Sequence, residues 1–345
     1  MVAVADRHDK SPLALEKPAR LLSLVVPVRD EQAAISPFLQ RTLPCVAAAI
    51  EKMGDGSDYE IVFVDDGSED STLAAIISAR IENPRIKSVV FSRNFGKEAA
   101  IAAGLRYAQG SAVIPIDVDL QDPPEIIPQL VAKWLDGAQM VTAVRVDRSS
   151  DGLFKRVTAG AFYTVYNRMA DRAIQEQAGD FRLIDRQIVD ALNELPERAR
   201  FMKGLFSWVG FETAQVQYVR EPRSSGKTKW GYWRLWNLAL DGITASTTAP
   251  LRVWTYCGMF MGVAALLYAA FIVGRTMILG RDLPGYASLM TALLFIGGLN
   301  LLALGILGEY IGRISYEVKA RPLYVLKTAI GFGRDQSSRS RSETT

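Results

Sequence analysis

The residues best suited to chemistry are carboxylates that end apolar runs. "EIVFVDDGSEDST" (60–72) carries Ile61 to Val64 straight into Asp65, Asp66, Gly67 and Ser68. The apolar run reads as a buried strand and the acids as the turn that ends it. Adjacent acids at a strand's C-terminal end repel one another unless something positive or hydrogen-bond-donating faces them. Ligands of open α/β sheets bind at that end, although a solvated turn would look the same. "IPIDVDLQDPPE" (114–125) is the second such stretch. There Asp117, Asp119 and Gln121 alternate, so at a strand end all three point to one side. Oxygen ligands of this kind suit Mg²⁺ or Mn²⁺, which bind through a few carboxylates plus substrate phosphates. An Asp-x-Asp also occurs in loops that hold no metal; here an apolar strand precedes it and Pro123-Pro124 fixes the turn behind it.

Groups that could hold phosphates occur in two places. "SRNFGKEAA" (92–100) sets Arg93 and Lys97 around Gly96, just before a helix whose N-terminus favours an anion. "EPRSSGKTKWG" (221–231) has Arg223, Lys227 and Lys229 in a Ser/Gly-rich loop. That loop could meet a lipid phosphate or be drawn generally to anionic lipids. Histidine chemistry is excluded, because the single histidine, His8, lies in a polar N-terminal stretch. Cys45 and Cys257 are far apart and form no metal-type spacing, which fits a reducing compartment. A net charge of +3 is too small to indicate a nucleic-acid partner. Residues 1–20 lack the continuous apolar core of a secretory signal.

Apolar runs at 21–28, 59–64, 86–92, 111–117 and 138–144 predict the strands that position these groups. Helical patterns fill Glu31 to Met53, Thr72 to Ile81, Lys97 to Ala108 and Ile126 to Trp134. Strands alternating with helices of this length predict an α/β fold with a mostly parallel sheet covered on both faces.

The second half is written for a different solvent. Between Arg252 and Arg275 lie 22 residues without a charge, and between Asp282 and Glu309 another 26. About 20 apolar residues cross a ~30 Å hydrocarbon core, so both stretches are long enough. A buried soluble hairpin is the alternative, and two such lengths in succession argue against it. The short connection makes them a hairpin whose ends share one side of the bilayer. That side carries Lys227, Lys229, Arg234, Arg252 and a basic tail, against Arg275 and Arg281 on the other. The positive-inside rule therefore places the α/β domain and both termini in the cytoplasm. "KWGYWRLWNLAL" (229–240) spaces Trp230, Trp233 and Trp236 three apart among cations, as an interfacial amphipathic helix would. Glu309 and Arg313 have the spacing of an intrahelical ion pair.

Taken together these stretches resemble one family, the membrane-anchored polyprenyl-phosphate glycosyltransferases related to dolichyl-phosphate mannose synthase. The matching pieces are "VVPVRDE", "EIVFVDDGSEDST", "SRNFGKEAAIAAGL", "IDVDLQDPPE", "AGDFRLIDR", "EPRSSGKTKW", "LDGITASTTAPLR" and "LGEYIGRISYEVKARPLY", in the family's order from about residue 21 to 325. The resemblance implies a glycosyltransferase A-type (Rossmann-like) domain over 19–220, after a disordered tail at 1–18. A basic loop and interfacial helix would follow over 221–250, two transmembrane helices over 251–312, and a basic cytoplasmic tail over 313–345. It implies a nucleotide-sugar donor, a divalent metal (Mg²⁺ or Mn²⁺), a polyprenyl-phosphate acceptor in the membrane, and a homo-oligomer, with a tetramer as the expectation.

Carried over by position, the resemblance implies that Pro27, Glu31, Asp65 and Asp66 surround the nucleoside, with Asp117 close to the nucleotide. Asp119 and Gln121 would be metal ligands, and Arg145, Arg223 and Lys229 would contact the diphosphate or the acceptor phosphate, joining Lys97 of the 92–100 stretch as phosphate-binding candidates. Asp180 is the implied base. Relatives often have Tyr-Asn where this chain has Arg29-Asp30, so it offers no aromatic ring there to stack on the base. The "AGDFRLIDR" version resembles bacterial members acting on undecaprenyl phosphate, with UDP-glucose as the leading donor. GDP-mannose, a UDP-N-acetylhexosamine or an aminoarabinose donor are the alternatives. A processive polysaccharide synthase would carry a Gln-x-x-Arg-Trp motif and more spans, and neither is present. A non-catalytic nucleotide-sugar sensor is the remaining rival, and the intact carboxylates argue against it.

Overall fold

The computed structural model of the chain describes residues 20–145, 178–198, 200, 202–219, 249–279 and 285–333. In chain order the elements begin β1 (Leu21–Val28), α1 (Gln32–Met53), β2 (Asp58–Asp65), α2 (Thr72–Glu82), β3 (Ile86–Phe91) and α3 (Lys97–Tyr107). Next come β4 (Ala112–Pro115), α4 (Ile127–Leu135) and β5 (Met140–Arg145). After residue 177 follow β6 (Ala178–Asp185), α5 (Arg186–Glu194), α6 (Met202–Trp208) and β7 (Thr213–Tyr218). Two long helices, α7 (Ala249–Leu279) and α8 (Tyr286–Val318), precede a last strand, β8 (Leu326–Ile330).

The eight strands form one sheet in the order β7-β5-β6-β4-β1-β2-β3-β8. Strands β1, β2, β3, β4, β5 and β7 run one way, while β6 and β8 run against them. The α/β fold with a largely parallel sheet is as the periodicity predicts. One core layer sets α1 and α4 against Leu24, Val26, Ile61 and Phe63, and the other sets α3, α5 and α6 against Val25, Val62, Val64 and Val89. Central strands buried on both faces must be apolar at nearly every position, which is why their sequence runs are continuous.

Packing within these layers is close. Gly104 of α3 lies so near β1 that an added Cβ would sit 2.0 Å from Val25 Cγ1. In α1, Pro37 and Pro44 both fall on the exposed face, where the lost backbone bonds are least harmful. Arg41 of α1 grips Glu125 with a forked pair of bonds, Nε to Oε1 at 2.7 Å and Nη2 to Oε2 at 3.0 Å. That fork anchors the turn behind Asp119 and Gln121.

Residues 32–53 and 295–318 are each long and apolar enough to cross a membrane. The first, α1, buries its apolar stripe on the sheet. The second belongs to α8, which with α7 exposes Phe260, Leu267, Phe271, Leu293, Phe295 and Leu301. Glu309 and Arg313 make the expected ion pair at 2.8 Å. The span expected to end at 312 continues as helix to Val318, and part of the expected tail, Leu326–Ile330, is an edge strand paired with β3. Its run Tyr-Val-Leu-Lys-Thr-Ala-Ile holds strand-forming residues within an otherwise basic tail, and the edge of β3 gives it a partner. The expected tail at 1–18 and interfacial helix at 229–240 lie outside the described residues.

Candidate active site

The C-terminal ends of β1, β2, β4, β5 and β7 share one edge with the start of the antiparallel β6. The paired acids at the end of β2 face backbone donors. Asp65 Oδ1 accepts from the Ser68 amide at 2.8 Å. Asp66 accepts from the amides of Phe95 and Gly96, at 2.6 and 2.9 Å on its two oxygens. Burial raises the Asp66 pKa against the opposing pull of those two amides. Gly67, at φ 68°, brings the turn so close that a Cβ would lie 2.4 Å from the Arg93 carbonyl carbon. Asp66 thus clamps the cationic 92–96 loop, a role the sequence does not disclose, since the two stretches are separated by α2 and β3.

The loop after β1 is laced to the same turn. Asp30 takes φ 53°, its amide donates to Ser68 Oγ at 3.0 Å, and its carboxylate accepts from the Glu69 amide at 2.9 Å. The Glu31 amide donates to Thr72 Oγ1 at 2.9 Å. Pro27 pairs in register with Val64 and lines a narrow, shallow recess together with Asp117, Asp122, Asp180 and Phe181. Four residues that the resemblance assigns to the nucleoside (Pro27, Glu31, Asp65 and Asp66) are therefore neighbours in space.

Beyond β4 the chain turns through Leu120 at φ 57°, a left-handed conformation unusual for a branched apolar residue. Such conformations persist where the surroundings hold them, often at functional sites. The Gln121 amide donates to Asp119 Oδ1 at 3.2 Å, and Gln121 and Asp122 are buried. Asp119 and Gln121 offer a carboxylate and a side-chain carbonyl two positions apart, and no group of three or more His, Cys, Asp or Glu suited to a metal occurs among the described residues.

Lys97 bridges two of the anticipated carboxylates. Its Nζ lies 2.7 Å from Asp117 Oδ1 and 3.0 Å from Asp180 Oδ2. Burial disfavours both charges, yet the attraction prevails: Lys97 is held well above the ordinary lysine range, and Asp180 well below the carboxylate range by Lys97 and Lys203. Arg145 Nε donates to the Tyr218 hydroxyl at 3.0 Å, and its Nη2 lies 3.8 Å from Asp122. Arg223 and Lys229 lie outside the described residues.

Several members of this edge escape sequence reasoning. Glu98, next to Lys97, is pushed up to about 7 by burial and then by the Asp180 charge, and its Oε2 accepts from the Met202 amide at 3.3 Å. Arg182 is buried beside Asp180 with its guanidinium 4.1 Å from the Phe206 ring, and burial lowers it to about 10. Its alternation with Asp180 would have been a signal had 178–185 been read as a strand. Tyr218 and Asp122 join through a hydrogen bond from the tyrosine hydroxyl.

A model of Glycosyl transferase family 2 matches residues 23–192, and one of the GtrB C-terminal hairpin matches 249–314. The SfII prophage-derived bactoprenol glucosyl transferase of Shigella flexneri is 49% identical over 308 residues, 89% of this chain and 97% of its own. A prophage bactoprenol glucosyl transferase homolog of Escherichia coli is 48% identical over 306 residues, 89% and 98% of the two chains. The uncharacterized glycosyltransferase sll0501 of Synechocystis is 50% identical over 310 residues, 90% and 96% of the two.

Proposed function

The chain belongs to glycosyl transferase family 2 and carries the GtrB C-terminal hairpin, and from that membership we propose that it moves glucose from UDP-glucose to a polyprenyl phosphate, undecaprenyl phosphate in the first instance. The observation that carries the reading is the Lys97 bridge between Asp117 and Asp180, on the same strand edge as Asp119 and Gln121. Relatives named for bactoprenol glucosyl transfer, similar over nine-tenths of the chain, support the choice of sugar and lipid.

The nucleoside would lie over the ends of β1 and β2, against Pro27, Glu31 and Asp65, with Asp66 holding the 92–96 loop beside it. Asp119 and Gln121 fit Mg²⁺ or Mn²⁺ as a two-oxygen set that leaves further positions to the diphosphate and water. When bound, such an ion neutralises the leaving diphosphate. Arg145 stands where it can share that charge, and Arg223 and Lys229 would act on the same phosphates or the acceptor's.

The acceptor needs little activation. A phosphate monoester has a second pKa near ~6 and is mostly a dianion at neutral pH. Asp180, held low, is a poor proton acceptor; it fixes the Lys97 ammonium, and Lys97 in turn presents positive charge to the incoming phosphate. Attack from the face opposite the leaving diphosphate inverts the anomeric carbon. Helices α7 and α8 would span the membrane with the catalytic domain on its cytoplasmic side, as the basic flanks favour. Tethering at the headgroup plane raises the effective concentration of an acceptor that never leaves the bilayer. A homo-oligomer, a tetramer by resemblance, would pack through the exposed helix faces.

The test is to incubate the purified full chain with undecaprenyl phosphate, Mn²⁺ and a panel of labelled nucleotide sugars, with and without chelator. UDP-glucose should label the lipid and chelation should stop it. Labelling from GDP-mannose, a UDP-N-acetylhexosamine or an aminoarabinose donor alone would replace the sugar, and no labelled lipid from any donor would overturn the reading.

A further inference from the structure

Arg145 and Tyr218 are the last partners of the β5–β7 ladder, so their side chains leave the sheet together at the donor edge. Arg145 Nε donates to the Tyr218 hydroxyl at 3.0 Å, and that hydroxyl donates to Asp122 Oδ1. The hydroxyl therefore relays one arginine to one carboxylate, using its acceptor and its donor capacity at once. Asp122 is buried and directly follows Gln121. The ring of Tyr218 is itself fixed, edge-on to Phe181 with centroids 6.3 Å apart. Gly179 borders the pair: a Cβ there would meet Arg145 Nη2 at 3.5 Å and the tyrosine oxygen at 4.0 Å, ordinary van der Waals contact.

A tyrosine buried at a strand end could serve packing alone, but packing asks only for the ring. What the hydroxyl adds, beyond the direct 3.8 Å approach of Arg145 Nη2 to Asp122, is a hydrogen-bonded connection between two parts of the donor site that lie on different elements. One is the left-handed turn at Leu120 that presents Asp119 and Gln121; the other is the arginine at the end of β5. We propose that Tyr218 is a positioning residue for the nucleotide diphosphate, its hydroxyl holding the Asp119–Asp122 turn and Arg145 in the single arrangement that receives the metal-bound phosphates. This rests on the donor site assigned under the proposed function. It adds a residue that touches no reacting atom and sits some hundred positions from the motif it serves.

Removing the hydroxyl alone isolates the claim. By calorimetry, UDP titrated into Tyr218→Phe at fixed Mn²⁺ should bind about tenfold more weakly than into the wild-type chain, the effect of one lost buried hydrogen bond. The donor KM should rise by a similar factor while kcat and the acceptor KM stay within about twofold. Asp122→Asn, whose amide oxygen still accepts the tyrosine's bond, should bind UDP more tightly than Asp122→Ala. The double variant Tyr218→Phe/Asp122→Ala should lose less than the two single losses combined, because the two changes break a shared bond. Wild-type affinity and KM in Tyr218→Phe overturn the proposal, as does equal loss in Asp122→Asn and Asp122→Ala. If Tyr218→Phe unfolds early, the asparagine and alanine pair decides in its place. Failure of the wild-type chain to bind UDP with Mn²⁺ at all would instead count against the donor assignment.

Discussion

In the proposed reaction, Asp180 and Lys97 would divide between them a task usually given to one base. The carboxylate is pinned by Lys97 at 3.0 Å and kept ionised, so its value to the proposed reaction would be electrostatic rather than as a proton store. Asp180→Asn should therefore reduce turnover by about 100-fold or more, the scale of a lost preorganised charge contact, while UDP binding measured by calorimetry survives. Undiminished turnover would contradict the role. Glu98 behaves in the opposite sense. Its folded pKa, about 7, stands above its ordinary value of 4.5 because of burial and the nearby Asp180 charge. Between those two values the folded protein binds more protons than the unfolded one, so stability falls as pH rises through that window and levels off above it. Glu98→Gln removes the slope. Thermal unfolding at pH 5 and pH 8 should show the variant gaining on wild type as pH rises; a constant difference would refute the assignment. Neither Glu98 nor Arg182 was legible beforehand, because the charges that perturb them come from segments distant in sequence.

At the scale of elements, the strands and helices up to residue 145 were legible because a sheet buried on both faces leaves a continuous apolar signature. Strands β6 and β8 were less so. "AGDFRLID" places Asp180 and Arg182 on the face a strand pattern would reserve for apolar residues, so the charges of the candidate site hide the strand. In β7, by contrast, Thr-Ala-Gln-Val-Gln-Tyr alternates strictly and buries Val216 and Tyr218, so its period of two was a legible strand signal. The clamp between the β2 turn and the 92–96 loop was hidden, although every residue of it stood in a motif. Its keystone is Gly67. Alanine there meets both a left-handed backbone and the Arg93 carbonyl carbon at 2.4 Å. We expect Gly67→Ala to lower unfolding stability by about 2 kcal/mol or more and to weaken UDP binding by displacing Phe95 and Gly96. Wild-type stability by denaturant titration would show that the loops are not held in this way.

Over the whole molecule, the chain leaves the catalytic sheet, makes the α7–α8 hairpin, and returns. The return is specific. The Arg198 amide donates to Glu317, near the end of α8, at 3.0 Å, and Tyr324 stacks on Phe91 with ring centroids 4.7 Å apart. The Ser92 amide then donates to Val325 at 2.9 Å, and β8 closes the edge of β3. Ser92 opens the loop that Asp66 clamps, so the segment leaving α8 is tied to the loop that carries Arg93 and leads to Lys97. An enzyme acting on a lipid phosphate has use for such a tie, since the distance between site and headgroup decides whether the two can meet. The charge-free lengths revealed the hairpin, while the return strand is a short run whose place only its partner β3 fixes.

The most direct measurement is the product itself. The full chain in lipid nanodiscs containing undecaprenyl phosphate, supplied with UDP-glucose and Mn²⁺, should yield a lipid heavier by one hexose, with the anomeric configuration opposite to that of the donor by NMR. A polymer, a retained configuration, or glucose released to water with the lipid unchanged would contradict the account.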